Sequence, residues 1–151
     1  MSSEPLFVSG WELTGARSAE TFFRTLAEIL PLPVNLCFEG TNISPDVQAL
    51  LAASAVTPCL QIPPGTIWPK PSVFHVRATE QFLHQLAALA GRHAGIEICD
   101  HFHAYVDGHG LMQWYDAFDL PLLIDESIAE ANVQSFCRKL GGRYTRWHAA
   151  K

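Results

Sequence analysis

The sequence lacks the signatures of the commoner catalytic chemistries. It has no GxSxG elbow, no GxGxxG loop, no HExxH pair and no Walker loop, so none of the mechanisms those spacings serve is indicated. Ser, His and Asp are all present, but no spacing marks a triad, which is defined by geometry rather than by order. No apolar run approaches the ~18 residues of a membrane span. The start, MSSEPLF, has no basic region followed by an apolar run, so no signal peptide is expected.

Charge is also scarce, with 17% of residues charged, and no basic run exists. Ten Lys plus Arg against fifteen Asp plus Glu give a net charge of −5. Affinity for nucleic acid begins with neutralising phosphates, so a nucleic-acid partner is not expected. The same balance would suit a basic protein partner. Four cysteines are present, Cys37, Cys59, Cys99 and Cys137, and no two form a CxxC pair. Buried free thiols in a reducing cytoplasm are the expectation.

What remains is a chain of 151 residues that is 48% hydrophobic, long enough for one domain with a core of its own. Residues 6–9 suggest a short strand, followed by a loop over 11–17. Ser18 is placed to cap a helix carrying Phe22, Phe23, Leu26 and Ile29 at helical spacing, and Pro31 and Pro33 end it. Val34 to Phe38 reads as a buried strand, and strand–helix–strand over this length predicts a parallel βαβ unit. Ser44, Pro45 and Asp46 open a second helix. The single Gly40 before it, with no GxxxxGK, reads as a plain connection rather than a phosphate site.

Residues 57–71 hold five of the ten prolines, so this stretch is a stiff connector. Trp68 within it reads first as a plug over the core and second as an exposed anchor for a partner. Ser72 to Val76 suggests a strand, and Thr79 caps a third helix with Phe82, Leu83, Leu86 and Leu89. Leu122 to Ile124 suggests a short strand. Ser127 with Glu130 has capping-box spacing for a last helix, Gly141-Gly142 end it, and the tail RYTRWHAAK reads as frayed. SAETFFRTLA and ATEQFLHQLA share Glu20/Glu80, Phe22/Phe82, Leu26/Leu86 and Ala27/Ala87. Two pseudo-repeat halves, 6–54 and 73–140, would explain this, although amphipathic helices share such residues without a repeat.

Residues 96–118, IEICDHFHAYVDGHGLMQWYDAF, carry the most chemistry. Asp107-Gly108-His109-Gly110 is a hairpin turn. With Gly108-His109 as the loop, His103 faces Trp114 and His101 faces Asp116. Alternation then puts Cys99, His101, His103, Tyr105, Met112, Trp114 and Asp116 on one face, and Ile98, Phe102, Ala104, Val106, Leu111 and Tyr115 on the core face. Two His and one carboxylate on one face is a ligand set used by non-haem iron and catalytic zinc, with Tyr105, Glu97, Asp107 and His109 as supporting groups. Cross-strand pairing explains the same residues without a metal.

The expected fold is a single α/β domain over 1–151, four helices on a mixed sheet of five or six strands. The leading functional expectation is a non-catalytic module binding a protein or small ligand through Trp68, Tyr105, Met112 and Trp114. An inhibitor-type protein and a homodimer are special cases of it. A metal-dependent enzyme using zinc or iron at His101, His103 and Asp116 is the alternative. The expected location is the cytoplasm, with no membrane partner.

Overall fold

The computed structural model describes residues 5–150. Seven strands and four helices form a mixed α/β domain: β1 (Ser9–Thr14), α1 (Ala19–Ile29), β2 (Val34–Gly40), α2 (Pro45–Ala53), β3 (Ser72–Ala78), α3 (Glu80–Ala90), β4 (His101–Val106), β5 (His109–Trp114), β6 (Leu122–Asp125), α4 (Glu130–Leu140) and β7 (Arg143–His148). The strands make one sheet in the order β3-β2-β4-β5-β6-β1-β7. Every neighbouring pair is antiparallel.

The expected parallel βαβ unit is therefore corrected. β1 and β2 do run in the same direction, as strands joined through a helix often do, but β4, β5 and β6 lie between them. The sheet also has more strands than expected. The tail expected to fray is β7, paired with β1 from Ser9↔His148 to Thr14↔Arg143, and β1 occupies the stretch read as a loop. The second half of the suggested repeat diverges as well. Helix α1 leads into strand β2, whereas α3 is followed by a single 3-10 turn, Gly95–Glu97, before β4.

Local signals explain most helix ends. Ser18 Oγ accepts the Thr21 N–H at 3.2 Å, and Thr79 Oγ1 accepts the Phe82 N–H at 3.1 Å. Gly141 closes α4 with φ 70°, a left-handed conformation that glycine adopts without a Cβ clash. The Ser127–Glu130 capping box does not form, because α4 starts at Glu130 after an Ala129 cap. Asp125 organises that turn instead, its Oδ2 accepting the Ser127 N–H at 3.1 Å.

One core lies between the helices and one face of the sheet. Leu36, Phe38, Val76, Phe102, Ala104, Met112, Trp114 and Ile124 point into it from the strands, meeting Phe22, Leu26, Phe82, Leu83, Val133 and Phe136 from the helices. α1 packs between α3 and α4. Phe22 is at its centre, with ring contacts to Phe23, Phe102, Trp114, Phe118 and Phe136. Among the described residues, no helix is long and apolar enough to cross a membrane.

Candidate functional site

Alternation along the strands gives the opposite face of the sheet a different character. Asn35, Cys37 and Glu39 of β2 lie between Arg77, His75 and Val73 of β3 and Tyr105, His103 and His101 of β4. Gln113 of β5 continues the row beside His103. Cys37, Glu39, His101, His103 and Tyr105 are all buried, although none belongs to the helix-side core. A buried polar surface of this kind needs partners for its donors and acceptors.

The Pro-rich connector supplies many of those partners. It crosses the face as a strap pinned at Pro63–Thr66. The Glu39 carboxylate accepts the Gly65 N–H at 3.0 Å and the Thr66 N–H at 2.8 Å. The Asp116 N–H donates to His101 Nδ1 at 2.9 Å, so the ring proton sits on Nε2, which donates to Thr66 Oγ1 at 2.7 Å. The Tyr115 hydroxyl donates to the Pro63 carbonyl at 2.8 Å, and its ring packs edge-on against His101 and His103. Gly65 is required by close approach, since a Cβ there would lie 2.5 Å from the His101 ring and 2.7 Å from the Tyr115 ring.

Immediately after this anchor the chain turns outward. Ile67 is 76% exposed and Trp68 is 85% exposed, which overturns the expectation of a core plug. Glu39 is 5% exposed and carries the strap's two backbone bonds. Glu39→Gln should therefore cost about 1–3 kcal/mol, the usual range for removing a buried charge-assisted acceptor. Amide hydrogen exchange at Gly65 and Thr66 should accelerate while Phe102, in the core, stays protected.

The hairpin register differs from the expected one. Asp107-Gly108 is the loop, with Val106↔His109, Ala104↔Met112, His103↔Gln113 and Phe102↔Trp114, and a bulge beside Ala104/Tyr105. The shift exchanges faces on β5. Met112 and Trp114 join the helix-side core, with Trp114 Nε1–H donating to the Leu120 carbonyl, so neither presents a surface. Tyr105 is likewise buried, on the strap side. Tyr115, expected in the core, lies under the strap, and Cys99, expected on the polar face, lies in the core.

His101 and His103 do share a face, but Asp116 is exposed and reaches His101 through its backbone N–H alone. Among the described residues, no group of three or more His, Cys, Asp or Glu is arranged around one metal position. His101, His103 and Asp116 are thus not brought together as ligands. The supporting groups are dispersed too. His109 Nε2 meets Asp125 Oδ2 at 2.9 Å, and Glu97 accepts the Ala94 N–H.

Burial sets the electrostatics under the strap. Desolvation, followed by the neighbouring His101 and His75, lowers the His103 pKa to about 3. Desolvation, with Glu39 second, raises the Cys37 thiol to about 12. Tyr105 is also raised to about 12, chiefly by desolvation, and burial lowers His75. Burial thus favours the neutral forms of these four side chains, the imidazoles without the extra proton and the thiol and phenol with theirs, unlike the lowered thiol of a reactive nucleophile. Glu39, Cys37, Thr66 and His75 were missed in the sequence. The available signal was the alternation in β2, where positions 35, 37 and 39 break an otherwise apolar strand.

The chain matches no family model, no curated protein and no solved structure.

Proposed function

We propose that this is a non-catalytic protein-binding module whose anchor is the Ile67-Trp68 turn of the strap. One observation carries the reading: a tryptophan and an isoleucine project largely into solvent directly beside backbone pinned to buried Glu39 and a Thr66 hydroxyl bonded to buried His101. An exposed aromatic is costly to leave in water and dominates binding energy when a partner pocket covers it. The prolines and the Glu39 anchor reduce the ordering cost that a free loop would meet on binding. Small-molecule sites are concave, whereas this anchor is convex, so the partner is a protein with an apolar pocket. Four free cysteines support a reducing, cytoplasmic location.

The test compares the wild type with an Ile67→Ser/Trp68→Ser variant. Both side chains are exposed, so folding stability should stay within about 0.5 kcal/mol of wild type. A protein species retained by the immobilised wild type should be lost with the variant; where that species is a second copy, light scattering should show the dimer becoming a monomer. An identical retained set and an unchanged mass for the two proteins would overturn the reading.

A further inference from the structure

The net charge of −5 conceals an uneven distribution. Five of the ten Lys and Arg fall within residues 138–151, and no Asp or Glu does. Those residues include β7, which forms one edge of the sheet as β3 forms the other. Arg143, Thr145, Arg146 and His148 are exposed along it. β5, β6 and β1 lie between this edge and β4, so it is distinct from the strap and its tryptophan.

Hydrogen-bond alternation fixes which backbone groups of β7 are free. The Ala149 N–H donates to the Val8 carbonyl at 2.8 Å, which makes Val8 and Ala149 a bonded pair of an antiparallel ladder. By register, Gly10↔Trp147, Glu12↔Thr145 and Thr14↔Arg143 are then the other bonded pairs. The N–H and C=O groups of Tyr144, Arg146 and His148 therefore point out of the sheet. Among the described residues, no bond outside the β1–β7 ladder reaches them. The opposite edge is protected. The Val56 N–H donates to the His75 carbonyl at 2.8 Å and the Arg77 N–H to the Ser54 carbonyl at 3.3 Å, so the chain at Ala55 covers part of β3. Pro69 and Pro71 also precede β3, whereas β7 has no proline and runs unbroken along β1. An edge of this kind is a template for another strand.

We propose that the outer edge of β7 takes an extended acidic segment of a partner protein as an added antiparallel strand. Charge decides the occupant. Side chains alternate along a strand, so Arg143 shares a face with Trp147, which packs on Phe7. Arg146 shares the other face with Tyr144, both against Trp11. A partner strand thus meets one Arg on each face, and carboxylates three residues apart stand opposite both. Among the described residues Lys139 pairs with Glu28 and Arg146 with Glu126, whereas Arg143 has no ion pair. A second copy of β7 is the poorer occupant. The self-pairing that bonds all three outward residues sets Arg146 directly opposite Arg146, and like charges in that position destabilise a strand pair. The charges that turn away a copy favour an acidic strand.

The test uses the full chain and the end-blocked peptide Thr-Val-Glu-Thr-Val-Glu, with Thr-Val-Lys-Thr-Val-Lys as the control. Amide exchange followed by NMR should slow at Tyr144, Arg146 and His148 when the acidic peptide is added. Thr145 and Trp147, already bonded to β1, should keep their rates, and the lysine peptide should change none of the five. Arg143→Glu turns an attraction into a repulsion at an exposed side chain and should weaken the acidic peptide about fivefold or more. His148→Pro removes one outward N–H and leaves the β1 ladder intact; it should weaken binding as well. Unchanged exchange at Thr145 and Trp147 verifies that β7 stays in the sheet in each variant. Ile67→Ser/Trp68→Ser should bind the peptide as the wild type does, which separates this edge from the strap. Outward amides that the acidic peptide leaves unprotected, equal binding of the two peptides, or a peptide-free dimer that already protects those amides would each overturn the proposal.

Discussion

Acidification from pH 7 to pH 3 is expected to remove several kcal/mol of folding stability, on the order of 5 kcal/mol at most, through His103 alone. The histidine pKa falls from 6.5 to about 3 in the folded chain, and each unit of difference corresponds to about 1.4 kcal/mol. The sign follows from proton binding. Below pH 6.5 the unfolded chain takes up a proton that the folded chain refuses, so stability declines as pH falls and levels off near pH 3. The cause is chiefly desolvation, and the groups facing the ring do not relieve it: His101 and His75 disfavour a further positive charge, and Cys37 keeps its proton.

Two other groups act in the same direction at lower pH. Asp46, held down to about 2 by His93 and Ser44, and Glu126, lowered by Ser9 and Arg146, lose their advantage only when carboxylates protonate. The window from pH 6.5 to 4.5 therefore belongs to His103, with His75, which burial also lowers, acting in the same direction. Denaturant midpoints taken across it should fall steadily in the wild type and much less in His103→Leu. At pH 7 the variant should be as stable as the wild type or more so, because an apolar side chain replaces a buried nitrogen without a partner. Parallel pH profiles for the two proteins would refute this account of His103.

The second large effect is expected at Phe22. This ring is fully buried and is the point where α1, β4, β5, α4 and the turn at Phe118 meet. Phe22→Ala removes the transfer energy of the ring and leaves a cavity whose walls are other aromatic rings, too large to collapse into it. The cost should be about 3–5 kcal/mol, or roughly 10–15 °C in melting temperature for a chain of this length. Phe23→Leu, beside it, keeps most of the volume and should cost less than about 1.5 kcal/mol. Equal losses for the two variants would show that the core is not organised around Phe22.

Helices were the legible part of the sequence. Their faces follow a 3.6-residue period, and Ser18, Thr79 and Gly141 act where capping chemistry places them. Strand pairing was less legible, because β1 and β2 are separated by three strands that arrive later in the chain, and no local pattern carries that order. The hairpin shows how sensitive a face assignment is to register. One bulge beside Tyr105 moved Met112 and Trp114 from the polar face to the core and brought Tyr115 the other way. His101, His103 and Tyr105 kept a common face because alternation within one strand survives any change of partner. Glu39 and Thr66 escaped notice for another reason: they are far apart in sequence and meet only because the strap folds back over the sheet.

The most direct measurement places a photoreactive phenylalanine analogue at position 68 in one preparation and at position 120 in another, Leu120 being the comparison because it is also exposed. Both proteins are irradiated in cell extract under identical conditions. One discrete covalent adduct is expected from position 68, with a single partner or a second copy of the chain, and none of comparable yield from position 120. Adducts from position 68 that match those from position 120 in number and yield would contradict it.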